Sequence, residues 1–423
     1  MKKILSFTIL LITFVSCISE DVVLQDSPHI KKFAFGSHTA VPGIEKIAFT
    51  VDTVQCIIYN EDSIAYGADL KKMMPYITYT GSPKKIQVNG TDWNKTDSID
   101  FSRPVKYYIQ SQNKKNEATY TITLRQHQVN PDQLFWSEQK SLSLPYPTTQ
   151  IRCISTQQAL WMFTAPTAPH NLGLIYQLNS QNNWTQMGEF ETSLLTNSID
   201  VFQQQIYAIS ADSTTLLRLN QTTWEEVASF SSGKMADILG SIQQKMYIRY
   251  LSQGQSWLAS YDGTTLQPET QAVLPPHFGM DGYSKLTANN TLYLIGGMHQ
   301  NQETNHVISS DNGLYWTDIL NQSGSYTFTP RCQASTAYYG KFIFAIGGTY
   351  KQKPVLQHYL SNNGGYSWSE LAAFQQLPDN YRYTIGTQAT SFNNNLWLIG
   401  LTEDGHRITV WKGRINKIDF IKQ

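Results

Sequence analysis

The feature that most restricts the fold of this chain is a four-residue, largely apolar run that occurs six times. Each run has an aromatic residue at its second position, and the runs recur with a period of about 40 to 54 residues. A polar turn precedes each run, as at Gln203–Gln205 and Asn393–Asn395. The six runs are Leu160–Phe163, Ile206–Ile209, Met246–Arg249, Leu292–Ile295, Ile343–Ile346 and Leu396–Ile399.

More strand patterns surround these runs. A third strand follows the runs, for example at Leu174–Leu178, and a Trp-containing strand ends most units, at Trp184, Trp224, Trp316 and Trp368. Four strands at this period are typical of a propeller blade. The sequence therefore predicts an all-β chain with a six-bladed β-propeller over residues 131–423.

The position of Trp136 predicts how the ring closes. Trp136-Ser137-Glu138 has the form of the Trp strands but stands before the first apolar run, whereas the last unit, Tyr383–Phe420, has no such strand. We therefore expect residues 134–144 to supply the outer strand of the sixth blade, which protects the sheet edges. The third unit is the least regular, because Leu266 stands where Trp is expected.

The region before the propeller has a different pattern. Residues 28–130 contain about seven short strands separated by turn signals such as Asn89-Gly90. This pattern predicts an immunoglobulin-like β-sandwich. Residues 18–27 are polar and are expected to form a tether.

The first 17 residues have the pattern of a signal peptide. Lys2 and Lys3 precede an apolar run from Ile4 to Val15, which is too short to span a bilayer. The run ends at Ser16-Cys17 in a segment similar to a bacterial lipobox, so Cys17 is the expected lipidation site. Ordinary signal cleavage is the alternative.

Composition argues against several classes of function. Charged residues make up 15% of the chain and the formal net charge is +0, which does not indicate a nucleic-acid-binding protein. The three remaining cysteines, Cys56, Cys153 and Cys332, are widely spaced and are expected to be free thiols. The sequence has neither a CxxC nor an HExxH motif, so no metal site or cofactor is predicted.

Turns with a shared frame join the last two strands of some units. Ser309–Trp316 places Asp311, Gly313 and Trp316 at fixed offsets, and Ser361–Trp368 repeats the frame with Asn363, Gly365 and Trp368. Asp262 and Gly263 form a weaker copy. Asp and Gly favour a tight turn, and the Trp can bury its ring. These residues are interpreted as structural, on the propeller face opposite the usual ligand entrance.

Two motifs resemble those of known families. Gly296-Gly297 and Gly347-Gly348 after apolar runs are similar to kelch repeats, and Ser309–Trp316 resembles the Asp-box of sialidase-type propellers. With the lipobox and the sandwich, the whole chain resembles uncharacterised Bacteroidetes-type surface lipoproteins with a kelch-like C-terminal domain. The resemblance implies an outer-membrane, lipid-anchored protein, exposed at the cell surface.

Three arginines near the starts of first strands are candidate ligand residues. Arg152, Arg331 and Arg382 fall in blades that ring closure makes neighbours, and guanidinium groups bind carboxylates in bidentate fashion. Tyr381 and Tyr383 could stack on a sugar ring. Bonding of each arginine to loop carbonyls or to a local acid is the alternative. His299 and His306 are weaker candidates, since loop histidines are commonly solvated.

The function expected from these features is non-catalytic binding of a glycan or a protein at the propeller entrance, with membrane contact through the lipid anchor only. A sialidase-like glycoside hydrolase is one alternative, but no acid or nucleophile can be assigned by spacing. A structural subunit of an outer-membrane complex is another.

Overall fold

The computed structural model describes residues 26–166, 170–179, 182–191, 194–320 and 326–415, apart from the side chains of 166 and 382–385. The described chain is all-β and forms two compact units that divide between Asn130 and Pro131. The predicted signal peptide, including Cys17, lies outside the described residues. Within them, no helical segment has the length and apolar character needed to cross a membrane.

From residue 26 onward, the first unit contains eight strands and one 3₁₀ helix, Ile44–Lys46. The strands are β1 (Ile30–Phe35), β2 (Phe49–Asp52), β3 (Ile57–Asn60), β4 (Pro75–Tyr79), β5 (Pro83–Val88), β6 (Thr91–Asp92), β7 (Val105–Ser111) and β8 (Glu117–Thr123). Six of them form a sheet in the order β2-β3-β8-β7-β5-β6, while β1 pairs with β4. Apolar and aromatic side chains such as Phe33, Phe101 and Tyr107 form the core of this unit and are buried together.

In its described residues, the second unit contains the remaining strands and two 3₁₀ helices, Ala373–Gln375 and Asp379–Tyr383. Its first half comprises β9 (Leu134–Glu138), β10 (Leu142–Ser143), β11 (Thr148–Ser155), β12 (Leu160–Pro166), β13 (Leu172–Leu178), β14 (Trp184–Glu191), β15 (Leu194–Phe202), β16 (Gln205–Ser210), β17 (Thr215–Asn220), β18 (Thr223–Ser229), β19 (Lys234–Ile242), β20 (Lys245–Ser252), β21 (Gln255–Tyr261) and β22 (Leu266–Pro268). Its second half comprises β23 (Ser284–Ala288), β24 (Thr291–Ile295), β25 (Met298–His299), β26 (Gln302–Glu303), β27 (Val307–Ser310), β28 (Thr317–Asp318), β29 (Ser335–Tyr339), β30 (Phe342–Ile346), β31 (Thr349–Tyr350), β32 (Lys353–Pro354), β33 (Tyr359–Ser361), β34 (Ser369–Glu370), β35 (Thr384–Phe392), β36 (Asn395–Thr402) and β37 (Arg407–Ile415).

Among the described residues, the strands of this unit form six antiparallel sheets of four or more strands, numbered here in chain order. Sheets 1 to 5 are β11-β12-β13-β14, β15-β16-β17-β18, β19-β20-β21-β22, β23-β24-β27-β28 and β29-β30-β33-β34. In sheet 6, the order β35-β36-β37 is completed by β9 and β10, which both pair with β37. The two pairs β25-β26 and β31-β32 are separate hairpins.

The six apolar runs lie in the second strands of these sheets, β12, β16, β20, β24, β30 and β36. Apart from the half-buried Trp161, the residues of these runs are buried, and in β30 all five residues are buried. A strand covered on both faces by neighbouring sheets loses the alternation of polar and apolar residues. This packing explains why the runs are continuous in the sequence.

In sheets 2 to 6, the turns between the first and second strands have positive φ at both central residues. Gln203 and Gln204, for example, have φ of 48° and 64°, and the equivalent turn at Asn393-Asn394 is similar. Such type I′ turns match the twist of a two-residue hairpin and favour Asn and Gly. The polar dipeptides of the sequence are therefore turn residues.

The turn before Trp316 is held by Asn312 rather than by its neighbour Asp311. The Oδ1 atom of Asn312 accepts hydrogen bonds from the backbone of Leu314 and Tyr315, both at 2.9 Å. Asp311 is exposed and contributes its backbone carbonyl to a bond from Gln243. Asn363 has the same role in the turn of sheet 5. Its Oδ1 atom accepts a hydrogen bond from the backbone N–H of Ser367 at 3.0 Å.

The common frame is a Ser followed two residues later by Asp or Asn. Ser310 Oγ accepts from Gly313 N at 2.8 Å, and Ser361 Oγ accepts from Gly365 N at 2.9 Å. The Nε1 atoms of Trp316 and Trp368 then donate to Gly313 O and Gly365 O, at 2.8 and 3.0 Å. Both Trp rings are buried, so these turns position core residues.

The double glycines allow neighbouring sheets to approach. Gly296 has φ of 67°, and a Cβ there would lie 2.6 Å from the carbonyl oxygen of Arg331. Gly347 has φ of 63°, and a Cβ there would lie 2.6 Å from the hydroxyl of Tyr381. Glycine alone satisfies both the left-handed backbone and the close contact.

Candidate functional site

The first strands of all six sheets, β11, β15, β19, β23, β29 and β35, line one cavity of about 740 Å³. Because successive residues of a strand point to opposite sides, each first strand presents only some of its side chains to the cavity. The lining is rich in hydroxyl, amide and charged groups.

A network of charges occupies one side of the cavity. Arg152 Nη2 lies 3.7 Å from Asp200 Oδ2, and Lys285 Nζ lies 3.6 Å from the same oxygen. Lys285 Nζ also lies 2.7 Å from Asp237 Oδ1. The network thus joins sheets 1, 2, 3 and 4 through alternating signs of charge.

Lys285 is fixed within this network. Besides its bond to Asp237, its ammonium group donates to Asn197 O at 3.0 Å and to Ile238 O at 2.6 Å. An ammonium group has three donors, so all of them are used. The side chain is only 5% exposed, and Lys285 is therefore interpreted as a structural cation that ties three sheets together.

Tyr283 and Arg249 extend the network toward the rim. The hydroxyl of Tyr283 donates to Asp237 Oδ2 at 3.0 Å. Burial raises the pKa of Tyr283 well above its ordinary value, and the Asp237 charge acts in the same direction. The phenol therefore stays protonated. Arg249 Nη2 donates at 3.0 Å to Asp281, whose side chain is 82% exposed.

The side of the cavity formed by β29 and β35 is uncharged. Ser335, Thr336, Gln388 and Thr390 line it. Gln388 Nε2 makes a long contact of 3.4 Å with Thr387 O. This wall offers neutral donors and acceptors opposite the charged network.

Of the three arginines predicted to converge, the structure places Arg152 in the cavity and Arg331 elsewhere. Arg331 is 0% exposed and is not part of the lining. Its Nε donates to Thr329 O, and its Nη1 donates to Gly347 O and Gln357 O, each at 3.0 Å. Burial lowers the pKa of Arg331 to about 10. This arginine supports the backbone of sheet 5 and is not positioned to share a ligand with Arg152.

Tyr381 does not form an aromatic wall of the cavity. Tyr381 is 8% exposed, its ring contacts His358, and it does not line the cavity. The side chains of Arg382 and Tyr383 lie outside the described residues. Asp311, Gly313, Trp316, Gly365 and Trp368 lie in the turns described above.

Comparisons with known proteins are consistent with this architecture. Residues 130–423 match the model of the DUF6242 beta propeller domain, and residues 24–124 match that of the DUF6242 N-terminal domain, a domain of unknown function. The chain belongs to the DUF6242 family. A search of curated proteins found no match. The second unit of this DUF6242 chain is thus a β-propeller, as predicted.

A cluster of three histidines lies in the loops of sheet 4 in the DUF6242 propeller. The His277 ring stacks on His306 with centroids 3.9 Å apart, and His299 lies edge-on to His277 at 4.9 Å. His306 Nδ1 bonds to Asp318 Oδ2. No group of three or more His, Cys, Asp or Glu in the described part of the chain is arranged to hold a metal ion. Cys56, Cys153 and Cys332 are free.

Sequence reasoning missed the acids and the lysine of the cavity. Asp200 and Asp237 each stand between apolar residues within a first strand, as in Ile199-Asp200-Val201, and Lys285 stands between Ser284 and Leu286. A charged residue inside a strand that is otherwise apolar was the available signal. Of the alternatives open for Arg152, the structure shows both a loop or strand carbonyl, Ile199 O, and a local acid, Asp200, beside its guanidinium group.

Proposed function

We propose that this protein is a non-catalytic binding protein that holds a small polar ligand, a glycan unit first of all, in the cavity of a six-bladed, kelch-like propeller. The observation that carries the proposal is the cavity lined by the first strands of all six sheets. Its volume of about 740 Å³ falls in the usual range of small-molecule sites, roughly 300–1,000 Å³. Its hydroxyl, amide and charged groups suit a ligand with many hydroxyl groups.

The contacts of the network argue against the alternative of a sialidase-like hydrolase. Both oxygens of Asp237 are engaged, one by Lys285 and one by Tyr283. A tyrosine nucleophile has to lose its proton, but burial raises the pKa of Tyr283. Asp237, Lys285 and Tyr283 are therefore arranged to stabilise one another through hydrogen bonds, and not to act as a nucleophile or a general acid.

The first unit is proposed to be an immunoglobulin-like spacer. Its run β5, β7 and β8 has the order of the C, F and G strands of immunoglobulin domains. The parallel pairing of β3 with β8 adds an early strand to the same sheet. Together with lipidation at Cys17, such a spacer would hold the propeller away from the outer membrane at the cell surface.

The test is a glycan array followed by calorimetric titration and a turnover assay. Thr390→Trp should fill part of the cavity and abolish binding, whereas Thr317→Trp, on the exposed outer strand β28, should not. Binding without turnover supports the proposal. Turnover would favour the hydrolase, and equal binding by both variants would place the site outside the cavity.

A separate experiment tests the two alternatives, binding of a protein ligand and a structural role in an outer-membrane complex. Affinity capture from detergent-solubilised membranes, with Thr390→Trp as the comparison, distinguishes them. A protein captured equally by both forms, in the absence of any glycan binding, would replace the glycan proposal.

A further inference from the structure

We infer that the ligand carries a carboxylate, which the guanidinium group of Arg152 binds in the cavity. The inference rests on the proposed function and adds a ligand class to it. Arg152 Nε donates to Ile199 O at 3.0 Å, which orients the planar group.

The terminal nitrogens of Arg152 have no hydrogen bond of this kind within the described residues. The closest acid is Asp200, but 3.7 Å from Nη2 is beyond hydrogen-bond length. A guanidinium group has five N–H donors, so four are left for a ligand. Arg152 is 18% exposed at its side chain and lines the cavity, where a ligand can reach it.

The shape of this group selects the ligand chemistry. Two parallel N–H donors of a guanidinium match the two oxygens of a carboxylate, which makes a bidentate contact stronger than a neutral hydrogen bond. Lys285 cannot compete for the ligand, because its three donors are already used. Two donors of Arg249 are likewise engaged, by Ser256 Oγ at 3.2 Å and by Asp281 Oδ1 at 3.0 Å. Among the described residues, Arg152 is therefore the cation of the network whose terminal nitrogens have no hydrogen bond.

The charges around the cavity are close to balance. Arg152, Lys285 and Arg249 line it, against the carboxylates of Asp200 and Asp237. The third acid of the network, Asp281, lies outside the lining, is 82% exposed and pairs with Arg249 at 3.0 Å. A ligand carboxylate would therefore be bound through the hydrogen-bond donors of Arg152 rather than through an excess of positive charge.

The rest of such a ligand needs neutral partners. Ser335, Gln388 and Thr390 offer hydroxyl and amide groups on the uncharged wall, and Asp200 Oδ2 can accept from a hydroxyl group. A sugar acid combines a carboxylate with several hydroxyl groups on one rigid ring. Acidic sugars are thus the ligand class that the cavity fits.

The test compares acidic and neutral sugars that share a ring. Glucuronate, galacturonate and N-acetylneuraminate are titrated into the protein beside glucose, galactose and the methyl ester of glucuronate. We expect at least one acid to bind about tenfold or more tightly than its neutral counterpart, the factor that corresponds to one charge-assisted hydrogen bond. Arg152→Lys keeps the charge but removes the paired donors, and should abolish this preference. Arg218→Lys, an arginine of the outer part of sheet 2, is the control.

Each outcome has a separate meaning. Equal affinity for acids and neutral sugars would overturn the inference but leave the binding function in place. Absence of binding to every sugar would overturn both. The methyl ester provides the comparison on the unmodified protein, in case Arg152→Lys lowers the melting temperature.

Discussion

The indole ring of Trp136 covers Gly413 on the facing strand of sheet 6. A Cβ at Gly413 would lie 2.7 Å from this ring, so no larger residue fits there without a shift. The two residues are paired in the register of β9 and β37, and Trp136 Nε1 donates to Gln376 O at 3.0 Å. The start of the propeller is thereby attached to its last strand.

Truncation of Trp136 should weaken this attachment. Because the ring is half-buried, Trp136→Ala should cost about 2–3 kcal/mol of unfolding free energy, below the ~3–5 kcal/mol typical of a fully buried aromatic. Phe135, on the other face of β9, is 48% exposed, and Phe135→Ala should cost less than about 1 kcal/mol. Urea unfolding of both variants measures the difference. Equal costs would contradict a closing role for Trp136.

A second prediction separates Asn312 from Asp311. Asn312→Ala removes the acceptor for two backbone N–H groups and should destabilise the protein by about 1–3 kcal/mol. Asp311→Ala removes an exposed side chain and should change stability by less than about 0.5 kcal/mol. Thermal unfolding with matched baselines is the measurement. The opposite ranking would restore Asp311 as the structural residue of the turn.

A third prediction concerns the buried cation. Lys285→Met leaves Asp237 without its cation and should destabilise the protein by about 3 kcal/mol, the low end for breaking a buried pair. Lys245→Met breaks a pair with Glu269 at 3.2 Å in which the lysine is 38% exposed, and should cost less than about 1 kcal/mol. If Lys285→Met is as stable as the wild type, water in the cavity must solvate the Asp237 carboxylate well enough to replace the lysine.

Acid should destabilise the propeller through His358. Burial lowers the pKa of His358 to about 4, with a further effect of the Arg331 charge, and its Nδ1 accepts from Gly347 N at 3.1 Å. A depressed pKa means that the unfolded chain binds the proton more readily. The stabilisation is therefore complete above about pH 6.5 and is lost as the pH falls toward 4, by about 3 kcal/mol in all.

The corresponding measurement is the slope of unfolding free energy against pH. His358→Asn keeps an acceptor but does not titrate, and should flatten the slope between pH 6.5 and 4. Identical slopes for this variant and the wild type would exclude His358 as the source of acid sensitivity.

The proposed lipid anchor can be tested in cells. Cys17→Ala removes the expected acceptor of the lipid and should move the protein from the membrane fraction to the soluble fraction. Cys56→Ala removes a free thiol of the first unit and should leave the protein membrane-bound. Retention of the Cys17→Ala variant in membranes would contradict lipidation at this residue.

The propeller could be predicted from the sequence because its signals are local and repeated. An apolar run such as Ile343–Ile346 and an aromatic residue such as Trp368 indicate buried positions in the sequence itself. Because the pattern occurs six times, a strand assignment that is ambiguous in one repeat is supported by the others. The pairing of Lys285 with Asp237 could not be predicted in this way. It joins residues 48 positions apart through side-chain directions that only the packed strands define.

Two errors of detail have a similar origin. Asp311 and Asn312 are neighbours with comparable turn propensity, and the difference between them is which side chain faces the backbone N–H groups. The sequence around Arg331 is compatible with a ligand-binding arginine. In the structure, however, its guanidinium group donates hydrogen bonds to the backbone carbonyl groups of Gly347 and Gln357.

The pairing of β9 with β37 also sets the order of events during folding. Residues 134–138 and 411–415 become partners only after nearly the whole propeller separates them along the chain. Contacts between such distant segments carry a large loop-closure entropy and form slowly. Sheets 1 to 5 can assemble as the polypeptide emerges, but β9 keeps an unpaired edge until the C-terminal strand has been synthesised. The final association of the two ends is therefore the expected slow phase of refolding, and the interval in which chaperones or aggregation compete for the chain.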